Sequence, residues 1–173
     1  MRMIAVTVVV ICGYAALSIH VENLSEQEKN RVGSFSIRDE LPNFTLTTLD
    51  GSEVDMHAVA AENKIVLVNF WATWCGPCRM EMPMFERMYQ DHGEDGFTIL
   101  AVNVRESPEV VRAFIEDEGY TFPILLDEDG SLADSYGIRA FPTSLLVTPD
   151  ARLEESIIGY DSSIEWKVKW RLD

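Results

Sequence analysis

Apolar residues run almost unbroken from Lys64-Ile65-Val66-Leu67-Val68 through Phe70-Trp71, the pattern of a strand covered on both faces. The runs Phe97–Val104, Phe122–Leu126, Thr143–Val147 and Leu153–Ile158 predict four more strands. Helical spacing fills the intervals. Met82, Phe85, Met88 and Tyr89 recur at steps of three and four, and Val110, Val111, Phe114 and Ile115 form the stripe of a second helix. Ser107 and Pro108 supply an N-cap and a first-turn proline for that helix. A brief helix from Ser131 to Tyr136 is stopped by Gly137, and a last one begins at Ser162, with Glu165 completing a capping box. Upstream, Phe44–Leu49 and Ser52–Met56 flank Asp50-Gly51, which predicts a β-hairpin. Strands and helices alternate and then finish in a strand pair, so the expected class is α/β, a sheet with helices on both faces.

The first residues follow another rule. From Met3 to Val21 no residue is charged if His20 is neutral, and Val, Ile, Ala and Leu dominate. Arg2 precedes this run and Glu22, Glu26 and Glu28 follow it, which predicts an N-terminus on the cytoplasmic side of a bacterial membrane and a domain on the outer side. As a helix the run would measure about 28 Å at ~1.5 Å per residue, close to a hydrocarbon thickness of ~30 Å. A cleaved signal peptide, cut after Ser18, is the alternative; an uncleaved anchor is the reading adopted. Cys12 falls inside the run as a small apolar residue, and bulky Val10 and Ile11 argue against its lipidation. The expected organisation is therefore an anchor over 1–21, a polar linker over 22–38 and one domain over 39–173. The net charge of −15, with 14 Lys and Arg against 29 Asp and Glu, excludes a nucleic-acid binder.

Candidate chemistry lies where the first long strand meets the first long helix, at Trp74-Cys75-Gly76-Pro77-Cys78. Unpaired N–H groups and the positive end of the helix dipole favour a thiolate on Cys75. Thiols so placed have pKa values of roughly 3.5–7.5, against about 8.5 for free cysteine. Pro77 suits a helix start, and the spacing places Cys78 one turn on, near enough to close a disulfide ring. A Cys-x-x-Cys pair is also half of a zinc site, but Cys12 and, downstream, His92 are poor candidates for the other half. A purely structural disulfide is the remaining alternative. Exchange chemistry is the reading this junction favours, and outside the cytosol such a dithiol needs its own electron source.

Some sixty residues later comes Tyr136-Gly137-Ile138-Arg139-Ala140-Phe141-Pro142-Thr143, and together with Trp-Cys-Gly-Pro-Cys it resembles thioredoxin. Within that superfamily the chain is most similar to membrane-anchored thiol–disulfide oxidoreductases of the ResA/TlpA type, with an AhpC/TSA or redoxin-type domain. The likeness runs from about Leu41 to Thr148. It includes Leu-Pro-Asn-Phe-Thr-Leu, Val-Asn-Phe-Trp-Ala-Thr-Trp-Cys and an inserted helix–strand segment between Val104 and Leu126. The resemblance implies a thioredoxin fold with an N-terminal β-hairpin, and Pro142 as a cis proline that faces the disulfide and leaves backbone groups for a client peptide. Pro83 matches the helix-kinking proline of thioredoxins.

The buried aspartate of thioredoxin, six residues before the first cysteine, is Asn69 here, and the carboxylate is Glu81, three residues after Cys78. ResA-like proteins carry a glutamate there that tunes the thiols. The bland alternative for Glu81 is an exposed acid complementing the helix dipole. The roles implied are Cys75 as attacking thiolate, Cys78 as resolving thiol helped by Glu81, and Trp74, Gly76, Pro77, Phe141 and Pro142 around the client, with neither cofactor nor metal. The implied partners are a disulfide-bearing protein, apocytochrome c in the family's usual case, and a membrane thiol carrier of the CcdA or DsbD kind. The protein is expected to be a monomer. The Gly-Pro pair is the one thioredoxin uses at about −270 mV, which favours a reductant. Other clients, such as a copper-site or sporulation protein, would use the same chemistry. A copper chaperone on this scaffold, or a thiol peroxidase, would need residues this chain does not offer in the known places.

Overall fold

The computed structural model describes residues 31–173. The expected anchor, Cys12 and most of the expected linker lie outside the described residues. The last residues of that linker, in contrast, carry structure. β1 (Arg31–Val32) and β2 (Phe35–Ser36) form a two-stranded ribbon, and the Phe35 ring lies 5.5 Å from that of Tyr136. Gly33, in the ribbon turn, presses on Gly137. A Cβ on Gly137 would lie 2.5 Å from the Gly33 Cα, and both residues have positive φ, so only glycine fits either position.

The hairpin follows as β3 (Thr45–Thr47) and β4 (Glu53–Asp55), paired antiparallel across Asp50-Gly51. Met56 belongs not to β4 but to α1 (Met56–Glu62), a helix the hydrophobic pattern did not announce, capped by the Asp55 carboxylate on the N–H of Ala58. The main sheet has five strands: β5 (Ile65–Trp71), β6 (Phe97–Val104), β7 (Ile124–Asp127), β8 (Thr143–Val147) and β9 (Leu153–Ile158). Their spatial order is β7-β6-β5-β8-β9, parallel from β7 to β5 and antiparallel through β8 and β9.

Alternation decides what each face of the sheet meets. Ile65, Leu67 and Trp71 of β5, with Phe97, Ile99 and Ala101 of β6, pack under α2 (Gly76–His92), α3 (Pro108–Glu118) and α5 (Ile164–Leu172). Val66, Val68 and Phe70 point the other way, with Leu100, Val102 and Val104, onto α1, α4 (Ser131–Ser135) and Tyr136. This is the expected three-layer α/β arrangement. Both outer strands are partly covered. Leu49 donates its N–H to Ile124 O on β7, and on β9 Leu153 exchanges backbone bonds with Arg38 and Asp39.

Three local expectations are corrected. Val110 is largely exposed, so the stripe of α3 rests on Val111 with Phe114 and Ile115 beside it. Ser107 occupies the N-cap position, but its side chain makes no capping bond. The capping box at Ser162 does not form: α5 starts at Ile164 after Ser163, and the Asp161 carboxylate takes the N–H of Ser163 instead.

Candidate active site

The carboxyl ends of β5 and β6 open on one side of the sheet, where α/β folds place their chemistry. The loop after β5 ends at Cys75, the N-cap residue of α2. Its Sγ accepts the N–H of Cys78 at 3.2 Å and its own N–H is bonded to Ala72 O. Cys75 and Cys78 are joined, with S–S 2.06 Å and Cα–Cα 5.3 Å, so the structure is the oxidised form. Cys75 is 4% exposed and Cys78 fully buried, which leaves Cys75 as the sulfur a partner can reach.

Around that point the surface is apolar. Trp74 is 71% exposed and its ring stands edge-on to Phe141 at 6.0 Å. Gly76 and Pro77 are exposed beside it. A Cβ on Gly76 would meet nothing within 4 Å, so this glycine is not demanded by space. The Phe141–Pro142 bond is cis, as the resemblance implies. The antiparallel pairing of Phe70 with Thr143 brings this loop alongside the end of β5, and Phe141 packs against the cluster that holds both cysteines. One expectation is narrowed: the carbonyl of Pro142 is occupied by the N–H of Gly159 at 2.7 Å. Among the described residues the N–H and C=O of Phe141 have no backbone partner, so Phe141, not Pro142, carries the backbone groups open to a peptide.

Behind the disulfide the sheet face turns polar. Asn69 interrupts the odd-numbered apolar positions of β5. Its Nδ2 donates to Glu81 Oε1 at 2.8 Å and to Ser144 Oγ, on the neighbouring strand, at 2.9 Å. Glu81 is fully buried, which excludes the exposed-acid alternative. Its Oε2 has no partner, nor do Asn69 Oδ1 and Trp71 Nε1. Burial pushes the Glu81 carboxyl up to about 8, and the single hydrogen bond from Asn69 opposes this only in part. With the disulfide closed and at neutral pH, Glu81 therefore carries a proton, one turn of helix from Cys78.

A second carboxylate went unnoticed in the sequence. Glu106, just after β6, accepts the N–H of Thr73 at 2.7 Å, the Thr73 hydroxyl at 2.6 Å and Asn103 Nδ2 at 2.7 Å. It fixes the loop that ends in Cys75 from outside. The available signal was Asn103, a buried polar residue that interrupts the apolar run of β6 as Asn69 interrupts that of β5. His92 lies at the far end of α2, about 21 Å from Cys78 at ~1.5 Å per residue, and is bonded to Asp95. It cannot share a metal with the cysteines. Among the described residues no group of three His, Cys, Asp or Glu side chains is placed to hold a metal, and no helix is long and apolar enough to cross a membrane.

Comparison with known proteins agrees with this geometry. Residues 37–156 match the model of the AhpC/TSA family. The thiol-disulfide oxidoreductase ResA of Bacillus thuringiensis (strain Al Hakam) is 30% identical over 154 residues, covering 89% of this chain and 85% of that protein. ResA of Bacillus subtilis (strain 168) is 34% identical, over 73% of this chain and 69% of its own. Among solved structures, StoA from Bacillus subtilis superposes with a TM-score of 0.65 at 29% identity, covering 76% of this chain and 97% of that one. The thioredoxin domain of a thiol-disulfide oxidoreductase from Bacteroides vulgatus gives 0.72 at 26%, covering 81% and 100%.

Proposed function

Since the chain belongs to the AhpC/TSA family of the thioredoxin superfamily and is a ResA-like thiol–disulfide oxidoreductase, we propose that it reduces a client disulfide outside the cytoplasm, the haem-site pair of apocytochrome c being the client. The observation that carries this reading is the fully buried Glu81 behind a closed disulfide, held by a single hydrogen bond from Asn69.

In the reduced protein Cys75, as thiolate at the helix N-terminus, attacks one client sulfur. A Cys75–client disulfide forms, the client S–S bond breaks, and its other sulfur leaves as a thiolate. The Cys78 thiol then passes its proton to the Glu81 carboxylate and attacks Cys75 Sγ. The Cys75–Cys78 bond forms as the Cys75–client bond breaks, the client leaves reduced by two electrons, and Glu81 is left protonated, the form that its burial favours. In the return direction a donor thiolate attacks Cys75 Sγ, Cys78 leaves and takes back the proton of Glu81, and the donor's second thiol then displaces Cys75 as a thiolate, leaving the donor oxidised. The donor is a membrane thiol carrier of the CcdA or DsbD kind, and the apolar run Met3–Val21 anchors the chain beside it. Trp74 and Phe141 form the apolar wall against which an extended client segment lies, and the Phe141 backbone groups pair with it.

The test is equilibration of the full chain, in detergent, with thiol redox buffers, followed by mixing the reduced protein with an oxidised Cys-x-x-Cys-His peptide. A potential below about −200 mV and stoichiometric reduction of the peptide are expected. A value near −120 mV would make the protein an oxidant and sink the proposal.

A further inference from the structure

α5 buries Ile164 and Val168 against the sheet and turns Trp166 and Trp170 outward, 65% and 70% exposed. Four residues apart, they stand on one face, with rings stacked 6.2 Å apart at 23°. Two of the chain's four tryptophans are thus spent on a surface far from any need of the core. The same short helix carries Lys167, Lys169 and Arg171 in a chain of net charge −15. Lys167 and Arg171 are held by Glu154, Glu155 and Asp161; Lys169 makes no ion pair among the described residues. Arg171 lines one cavity with Arg38 and Arg152, and Asp150 and Glu154 line it too, paired with Arg152 and Arg171. Around the tryptophan face the charges thus largely cancel, and Lys169 is left as the cation of α5 without an acidic partner among the described residues.

We propose that the Trp166–Trp170 face of α5 rests on the lipid headgroup layer of the membrane to which the N-terminal segment tethers the chain. The inference rests on the anchor reading above. Tryptophan prefers that layer, where its ring meets apolar chains and its N–H meets water, and the Lys169 ammonium beside Trp170 meets phosphate. The acidic remainder of the domain is repelled by the same surface, which favours the nearly neutral α5 face as the one that meets it. A second copy of the chain is the weaker occupant. Two tryptophan side chains bury about 150–250 Å² each, well short of the ~800 Å² per partner of a stable association. For a tethered domain little area is needed, because the anchor supplies a high effective concentration at the surface.

The full chain is reconstituted into phosphatidylcholine–phosphatidylglycerol vesicles, and some of the lipid carries bromine near the headgroup, which quenches tryptophan on contact. Wild type is expected to lose at least twice the fraction of its emission that W166F/W170F loses, with both proteins floating with the vesicles and reducing a disulfide peptide equally well. Equal quenching of two floating proteins overturns the proposal and leaves the anchor standing. Failure of wild type to float overturns the anchor; quenching that persists on mixing would keep α5 as a lipid contact, and its absence would remove both. A particle mass in detergent that halves in W166F/W170F, with equal quenching, assigns the face to a second copy instead.

Discussion

Glu81 gives the protein its clearest pH signature. Its folded-state pKa of about 8 lies above the ordinary carboxyl value, so between about pH 4.5 and 8 the folded protein binds a proton that the unfolded chain has released. Folding stability therefore falls as pH rises through that window and levels off above it. Glu81→Gln removes the dependence: the two proteins should match near pH 4.5 and diverge above it, by up to about 5 kcal/mol at pH 9 in denaturant titrations of the oxidised forms. The same substitution should slow resolution of the mixed disulfide by roughly 10²–10⁴-fold and flatten its pH profile, as loss of a proton acceptor does. Cys78→Ser should stall at the earlier stage and accumulate a Cys75–client adduct, visible as a mass increase that dithiothreitol removes. The two cysteines were legible because motif and spacing mark them, and Glu81 only through the resemblance to ResA-like proteins, since an acid early in a helix otherwise reads as exposed. Glu106 was not, since its partners Thr73 and Asn103 come from two different loops and strands, and an acid after a strand looks like any solvated loop residue.

At the level of elements, the clamp of Glu106 on Thr73 predicts that the Cys75 loop depends on the end of β6. Glu106→Ala leaves the Thr73 amide without its acceptor and should destabilise the fold by about 1–3 kcal/mol. It should also raise hydrogen exchange at Thr73 selectively, with the amides of β8 and β9 unchanged. The β1–β2 ribbon makes a second prediction. Gly137→Ala collides with Gly33 at a positive φ, whereas Gly76→Ala meets open space, so the first should lower the melting temperature by several degrees and the second should not. The long strands were readable because burial on both faces writes an uninterrupted apolar run. α1 was not, because seven residues with only Met56 and Ala60 buried make no stripe. The start of α5 moved past Ser162 because Asp161, a stronger local acceptor that also meets Lys167, made the turn first.

On the scale of the whole molecule, the sheet carries its reactive end at the carboxyl termini of β5 and β6 and its charged bulk elsewhere. α5 begins near that end, after β9, and runs back to the foot of β5, where Lys64 Nζ meets Leu172 O at 3.0 Å. A helix lying on a membrane would hold the disulfide sideways to it, within reach of both a membrane donor and a client in solution. The covering of the sheet's two outer strands acquires its meaning here. An enzyme whose working loop invites an extended chain to lie down beside it risks inviting its neighbours, and the anchoring proposed above would crowd those neighbours into two dimensions. Leu49 on β7, residues 38 and 39 on β9, and the ion-paired Glu154 and Glu155 leave copies little opportunity to zip together strand on strand. The welcome extended at Phe141 is thereby kept for guests.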